Sequence, residues 1–490
     1  MSTLTERSSR PAAGEAVTDS RTDYAVLRWL VLATFIVILN ETIMVNALPR
    51  LMGEFDVSAR SAQWLSTAFM LTLAVVIPVT GWFLQRVTTR TAFATAMVVF
   101  CTGTLLAALA PVFPLLLAAR VVQACGTAVM MPLLMTTMMT VVPEHDRGRV
   151  MGNVTLAMSV APALGPAVSG VVLQWLSWRW MFGLVLPVAV VISVVGMRRL
   201  TNHGVQQSGS VDWFSVAASA LGFGGFVYGL SQLGAGSSAV VSPYLLLAGG
   251  AAAIAVFVRR QLVLQRTGAP LLDLRTLRHR TFTISLALMS LAFMAMLGSM
   301  ILLPLYLQDV RGLTALQTGL LVMPGGLLMG LLGPSVGRWF DRFGGRALVV
   351  PGAAGLVVAL GVLATVSTTS PVWLVLVAHV LLMVSLAAVF TPVFTLGLGA
   401  LPPHLYSHGS SLLGTLQQVA AAVGTAVVVT VMSWRATELA QAGAGRLDAL
   451  VGGMQWAFAI GAVVSVAVLA LAFRLPARAP AAVPDEPVGS

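Results

Sequence analysis

Gly81-Trp82-Phe83-Leu84-Gln85-Arg86-Val87-Thr88-Thr89-Arg90 and Gly337-Arg338-Trp339-Phe340-Asp341-Arg342-Phe343-Gly344-Gly345-Arg346 are two versions of one ten-residue connection. Each follows a long apolar run and places Gly first, Arg sixth and Arg last. Such a repeat implies two related halves. A Gly lets two helices approach closely, and an acid and arginines at facing helix ends can form an ion pair that breaks when the halves rock. Gly81, Arg86, Arg90, Gly337, Asp341, Arg342 and Arg346 are therefore read as a conformational gate.

Working outward, the apolar runs on either side are each long enough to cross a bilayer, which takes about 20 residues. Runs start near Leu27, Ala62, Thr91, Phe113, Val150, Trp180, Phe214 and Tyr244, then near Phe282, Leu316, Ala347, Val372, Gly409 and Met454, fourteen in all. The composition agrees: 58% hydrophobic and 9% charged residues at a mean hydropathy of +0.91, against about 25% charged in soluble domains. The expected fold is an all-α polytopic membrane protein. Its expected parts are a disordered tail 1–26, a six-helix bundle 27–199, two extra helices with a linker 200–281, a second six-helix bundle 282–474 and a tail 475–490.

All 28 basic residues are Arg. A phosphate-binding P-loop and a Schiff base both need Lys, so an ATP-driven pump and that cofactor chemistry are excluded. No cofactor is expected. Cys101 and Cys125 lie in apolar runs without ligand spacing, and no metal site is expected. The net charge of +11 is dispersed among apolar runs, which speaks against nucleic acid and for anionic membrane lipids at the inner leaflet. With the N-terminus inside, twenty-one arginines fall in inner segments and six in outer loops. The positive-inside rule then puts both termini in the cytoplasm and the chain in the cell membrane. The linker from Arg259 to Thr281 carries six arginines beside six leucines. It is expected to lie on the inner leaflet, or else to be solvated.

At this point the sequence resembles the major facilitator superfamily and, within it, the fourteen-span drug:proton antiporters. The second connection matches the G-x-x-x-D-R-x-G-x-R signature throughout; the first has Gln85 at the Asp position and Thr88 at the Gly position. Arg120-Val121-Val122-Gln123-Ala124-Cys125-Gly126 is similar to R-x-x-Q-G-x-G, and Gly165-Pro166-Ala167-Val168-Ser169-Gly170 to the antiporter signature G-P-x-x-G-G. Trp178-Arg179-Trp180, Asp212-Trp213, Pro324-Gly325-Gly326 and His408-Gly409-Ser410 also look like that family. The resemblance implies two six-helix bundles with alternating access, two helices between them, and multidrug efflux.

Of 17 acidic residues, Glu41 alone lies well inside a span, and Arg120 is the only basic residue so placed. Glu41 precedes the end of its run by seven residues and Arg120 follows the start of its own by seven. Both thus lie roughly 10 Å below the outer edge. Burial and a neighbouring Arg120 pull the protonation of Glu41 in opposite senses, so the pair is the candidate proton-coupling site; a static pair fixing helix register is the competing reading. The resemblance implies an Asp nine residues before the Pro of Ala47-Leu48-Pro49; that position holds Asn40. Asn40, Gln123, Met135, Tyr306, Gln417 and Gln418 are the expected substrate-binding residues, on helices that the resemblance makes cavity-lining. Methionines in span 4 suit differently shaped apolar ligands. No catalytic constellation appears at membrane depth, so an enzyme is not expected. Three readings stay open: a proton-coupled exporter of hydrophobic or amphipathic compounds, a dedicated exporter of an endogenous lipid or secondary metabolite, and a non-transporting receptor. A monomer is expected.

Overall fold

The computed structural model describes residues 19–44, 47–202, 209–233, 241–267 and 270–477. The expected tails fall largely outside these residues, although helix α1 already starts at Asp19 and Leu475 is buried. Among the described residues sixteen α-helices follow one another: α1 Asp19–Ile43, α2 Leu48–Phe55, α3 Ala59–Arg86, α4 Thr89–Ala108, α5 Phe113–Val141, α6 Arg147–Trp175, α7 Arg179–Arg199, α8 Trp213–Ser219, α9 Gly225–Gln232, α10 Pro243–Thr267, α11 Arg280–Leu305, α12 Ala315–Phe343, α13 Arg346–Leu363, α14 Val372–Gly399, α15 Tyr406–Gln441 and α16 Arg446–Ala472. They supply fourteen apolar spans. α2 is a short amphipathic helix outside the count, and α8 and α9 form one span joined by a π-helical turn at Ala220–Gly224. The even number of spans puts the start of α1 and the end of α16 on one face, called here the terminal face.

α1 and α3–α7 pack into one six-helix bundle and α11–α16 into the other. Ser58, Thr88 and Thr314 begin α3, α4 and α12 by accepting a backbone N–H on their hydroxyls, which satisfies donors that a helix start leaves open. The extra hairpin α8–α10 rests on α3 and α15, one helix from each bundle, with Trp64 and Tyr228 rings 5.4 Å apart.

The linker differs from its expected place. Leu271, Leu272, Asp273 and Thr276 are buried inside the protein. Buried Gln261 on α10 causes this: its Oε1 accepts the amides of Leu271 and Leu272 at 2.7 and 3.1 Å, and its Nε2 donates to Ser215 Oγ at 2.8 Å. Satisfying those amides removes the cost of taking this backbone out of water. Asp212 accepts from Ser215 and Arg260, so the Asp212-Trp213 pair ties α8 to α10. The Arg260 bond holds the Asp212 carboxyl below the usual carboxylate range, ahead of burial acting the other way. Asp273 is lowered too, because its bonds from Arg275 outweigh a larger single effect of burial.

Candidate functional site

α1, α4 and α5 meet around Arg120, which is 1% exposed. Its Nη1 donates to Gln123 Oε1 at 2.6 Å and to Asn40 Oδ1 at 3.4 Å. Gln123 Nε2 donates to Thr104 Oγ1 at 2.8 Å, and Thr104 to the Phe100 carbonyl at 2.7 Å. The guanidinium carbon lies 4.1 Å from the centre of the Phe69 ring on α3. A buried cation is thus held by two amide oxygens and an aromatic face. Thr104 and Phe69 were not legible as partners in the sequence, since each sits on a different helix.

Glu41 is half-buried beside this network and, among the described residues, makes no ion pair within 4 Å. Asn40, one residue earlier and about 100° round the helix, takes the place facing Arg120. Gly165 packs α6 against α1 at Thr42, the next residue along, where a Cβ would collide with the Thr42 hydroxyl. Small size is therefore required at Gly165. It is not at Gly170, which is exposed with open space around it. Pro166 is in α6; its side chain is outside the described ones.

Met135 is buried in α5 along with Met130, Met138 and Met139, so these methionines are packing core and not a lipid-facing row. Tyr306 is buried at the end of span 9, and its hydroxyl donates to the Ser367 carbonyl at 2.7 Å, pinning the loop after α13. Gln417 is 8% exposed with Nε2 lacking a partner among the described residues, and Gln418 is half-buried. Both lie on α15, which contacts α3 and α5 of the other bundle.

The residues expected to form a gate have a different chemistry from the expected ion pair. Asp341 accepts the backbone amides of Gly148 and Arg149 at 2.9 and 2.8 Å, capping the first turn of α6, where free N–H groups and the helix dipole favour an anion. Arg342 and Arg346 lie on the Phe343 and Phe473 rings. Arg86 donates to the Gly209 and Trp82 carbonyls, and the Arg90 amide to Asn202. In the first copy Gln85 Nε2 donates to the His404 carbonyl at 2.8 Å, just before α15. One copy meets helix amides and uses an acid; the other meets a carbonyl and uses an amide donor. The departure at Gln85 therefore fits what it faces.

Gly337 opens a stripe that the sequence reading missed. Gly326, Gly330, Gly333 and Gly337 face Ala163, Val160, Gly152 and Gly148 of α6 so closely that a Cβ on Gly337 would strike the Gly148 carbonyl. Spacings of 4, 3 and 4 residues put all four on one helix face, which is the signal that could have found them. Gly81 packs on His408 and Ser411 of α15. Thr136 with Ser410 and Thr155 with Thr391, each 2.9 Å apart, and Ser411 donating to the Ile77 carbonyl, complete the seam.

Comparison with known proteins agrees with this geometry. A family model described as Major Facilitator Superfamily matches residues 30–425. The uncharacterized MFS-type transporter YcnB of Bacillus subtilis (strain 168) is 39% identical over 450 residues, 91% of this chain and 93% of that protein. The lincomycin resistance protein LmrB of Listeria monocytogenes is 39% identical over 408 residues, 83% and 86% of the two chains. The crystal structure of the human organic anion transporter MFSD10 (TETRAN) superposes with a TM-score of 0.67 at 15% identity, covering 92% of this chain and 99% of that one, a likeness of fold alone. This chain is a multi-pass membrane protein and belongs to the major facilitator superfamily of transporters.

Proposed function

We propose that the protein is a proton-coupled secondary exporter of hydrophobic or amphipathic small molecules, working by alternating access in the cell membrane. The observation that carries this reading is the placement of a half-buried Glu41, with no ion pair within 4 Å among the described residues, directly beside the buried Asn40–Arg120–Gln123 network. An ionisable group at that depth is kept where it binds or moves an ion. Arg120 supplies positive charge close to Glu41 without quenching it in a fixed salt bridge. A change in the α1–α5 spacing then alters how strongly Glu41 holds a proton. The tight Gly165–Thr42 contact passes movement of α6 to the residue next to Glu41.

The terminal face is assigned to the cytoplasm by its arginine excess. The bonds of Asp341, Gln85 and Thr136 then close the cytoplasmic side in this conformation, and export proceeds as these contacts break and reform around a central site. Gln123, Gln417 and Gln418 supply the polar groups of that site. Lincomycin, the drug in the name of a relative, is the first compound to test. The decisive measurement is substrate-driven proton flux in proteoliposomes, comparing wild type with Glu41→Gln. Flux that is substrate-dependent in wild type and absent in the variant supports the reading; uphill export by the variant at the wild-type rate sinks it. A single tight ligand among dissimilar drugs would favour a dedicated exporter.

A further inference from the structure

On the terminal face a cleft of about 340 Å³ opens between the end of the linker, the start of α11 and the end of α16. Leu277, Arg278, Arg280, Thr283, Ile284 and Arg474 line it. Three arginines thus line it from two parts of the chain, Arg278 and Arg280 from the junction of the linker with α11 and Arg474 from the end of α16, and no carboxylate lines the cleft. Among the described residues, no ion pair or side-chain hydrogen bond engages any of the three. Three other arginines of this face are committed, Arg260 to Asp212, Arg275 to Asp273 and Arg147 to the Val142 and Met139 carbonyls; what sets Arg278, Arg280 and Arg474 apart is that they share one concavity. Three uncompensated cations sharing one concavity call for an anion with several acceptor oxygens, the geometry at which guanidinium groups excel.

The surroundings narrow the ligand further. The cleft lies where two membrane spans end, at the depth of lipid headgroups. Its other walls are Thr283, whose hydroxyl donates to the Leu277 carbonyl, and two apolar side chains: Leu277 is 40% exposed, and Ile284 lies one turn into α11. A ligand filling it has an anionic head and an apolar continuation. The geometry points to a seat for one anionic phospholipid, its phosphodiester held by Arg278, Arg280 and Arg474 and its chains passing Leu277 and Ile284. This assignment is independent of what the protein exports. The seat is also mechanically connected. Beyond Arg474, Leu475 is buried and the Ala477 carbonyl accepts the Gly345 amide at 2.9 Å, so a lipid held here touches the segment that anchors the gate loop 337–346.

The test is lipid retention by the full-length protein in detergent, read by native mass spectrometry with phosphatidylglycerol or phosphatidylcholine as probe. Wild type is expected to retain one phosphatidylglycerol and no phosphatidylcholine. R278Q/R280Q/R474Q is expected to lose affinity by on the order of a hundredfold at low salt, from roughly fivefold per basic contact. R198Q/R199Q/R259Q, which removes the same charge elsewhere on this face, is expected to retain the lipid. Equal loss in both variants would mean diffuse surface attraction and overturn the seat. Full displacement of phosphatidylglycerol by millimolar inorganic phosphate would assign the cleft to a soluble anion and overturn it equally. Should the triple variant fail to insert, R474Q alone must lose about fivefold while R474K keeps most binding; an unchanged R474Q contradicts the proposal.

Discussion

Arg120 shows how much a single buried side chain commits its neighbours. Replacing it with Ala strands the Gln123 and Asn40 oxygens that it now satisfies, at about 1–3 kcal/mol for each buried group left unpaired. Arg120→Lys keeps the charge and loses the fork. The expected order of transport is therefore wild type, Arg120→Lys, Arg120→Ala, with the last reduced at least tenfold in a proteoliposome uptake assay. Equal and complete losses would point to a role in packing alone. Glu54, outside the spans, tests the opposite face: it accepts from Arg179 Nη1 at 2.5 Å and from Trp178 Nε1 at 2.6 Å. The Arg179 bond, the largest influence, holds its carboxyl below the usual range. A depressed carboxylate contributes stability above its unfolded pKa of about 4.3 and loses it as pH falls through the lower folded value. The stability difference between wild type and Glu54→Gln should be constant from pH 7 to about 5 and vanish under stronger acid. A difference that grows as pH falls would contradict the assignment.

At the scale of elements, the seam between α6 and α12 depends on backbone approach and the two capping side chains depend on polarity. Gly337→Ala puts a methyl against the Gly148 carbonyl, where neither backbone can yield without parting the helices. Spin-label distances across the terminal face should lengthen in this variant. Asp341→Asn keeps one acceptor oxygen for two amides and removes the charge at the α6 N-terminus, a loss on the order of 1 kcal/mol. Transport should slow with substrate preference unchanged; normal rates with altered preference would contradict a gating role. Gln85→Asp is the sharper test, because it restores the acid of the family signature yet aims a carboxylate at the His404 carbonyl. It should destabilise the closed seam, and a variant faster or more closed than wild type would refute the matching of Gln85 to its carbonyl.

For the whole molecule, charge at membrane depth limits what can be carried. One acid and one arginine make the central region near neutral; the buried carboxylate Asp273 lies in the linker on the terminal face, so among the described residues no second carboxylate at that depth balances a dication, whose desolvation costs several kcal/mol more than that of a monocation. Neutral, zwitterionic and monocationic amphipathic compounds should be exported, and matched dicationic dyes poorly. Exchange of one proton for a monocation is electroneutral, so its rate should follow the pH gradient and not the membrane potential. Efficient dication export would show that an exposed acid such as Asp309 reaches the site.

Membrane residence, the fourteen spans, the two-half repeat and the family all follow from the sequence itself. In a bilayer every backbone group must be satisfied within its own helix, so length and hydropathy suffice to define each span. The isolated polar residues Asn40, Glu41, Arg120 and Gln123 stood out for the same reason: each is costly in its place. Which of them meet could not be read, because one residue along a helix turns a side chain by about 100°, and this rotation gives the contact with Arg120 to Asn40, a choice between neighbours that the sequence left open. The same holds for Asp341, whose partners are amides on another helix, and for Leu271 and Leu272, drawn inside by one glutamine on α10. Hydropathy is a property of segments, which a sequence displays; hydrogen-bond pairing depends on where helices distant in the chain are packed, and only the tertiary structure decides that.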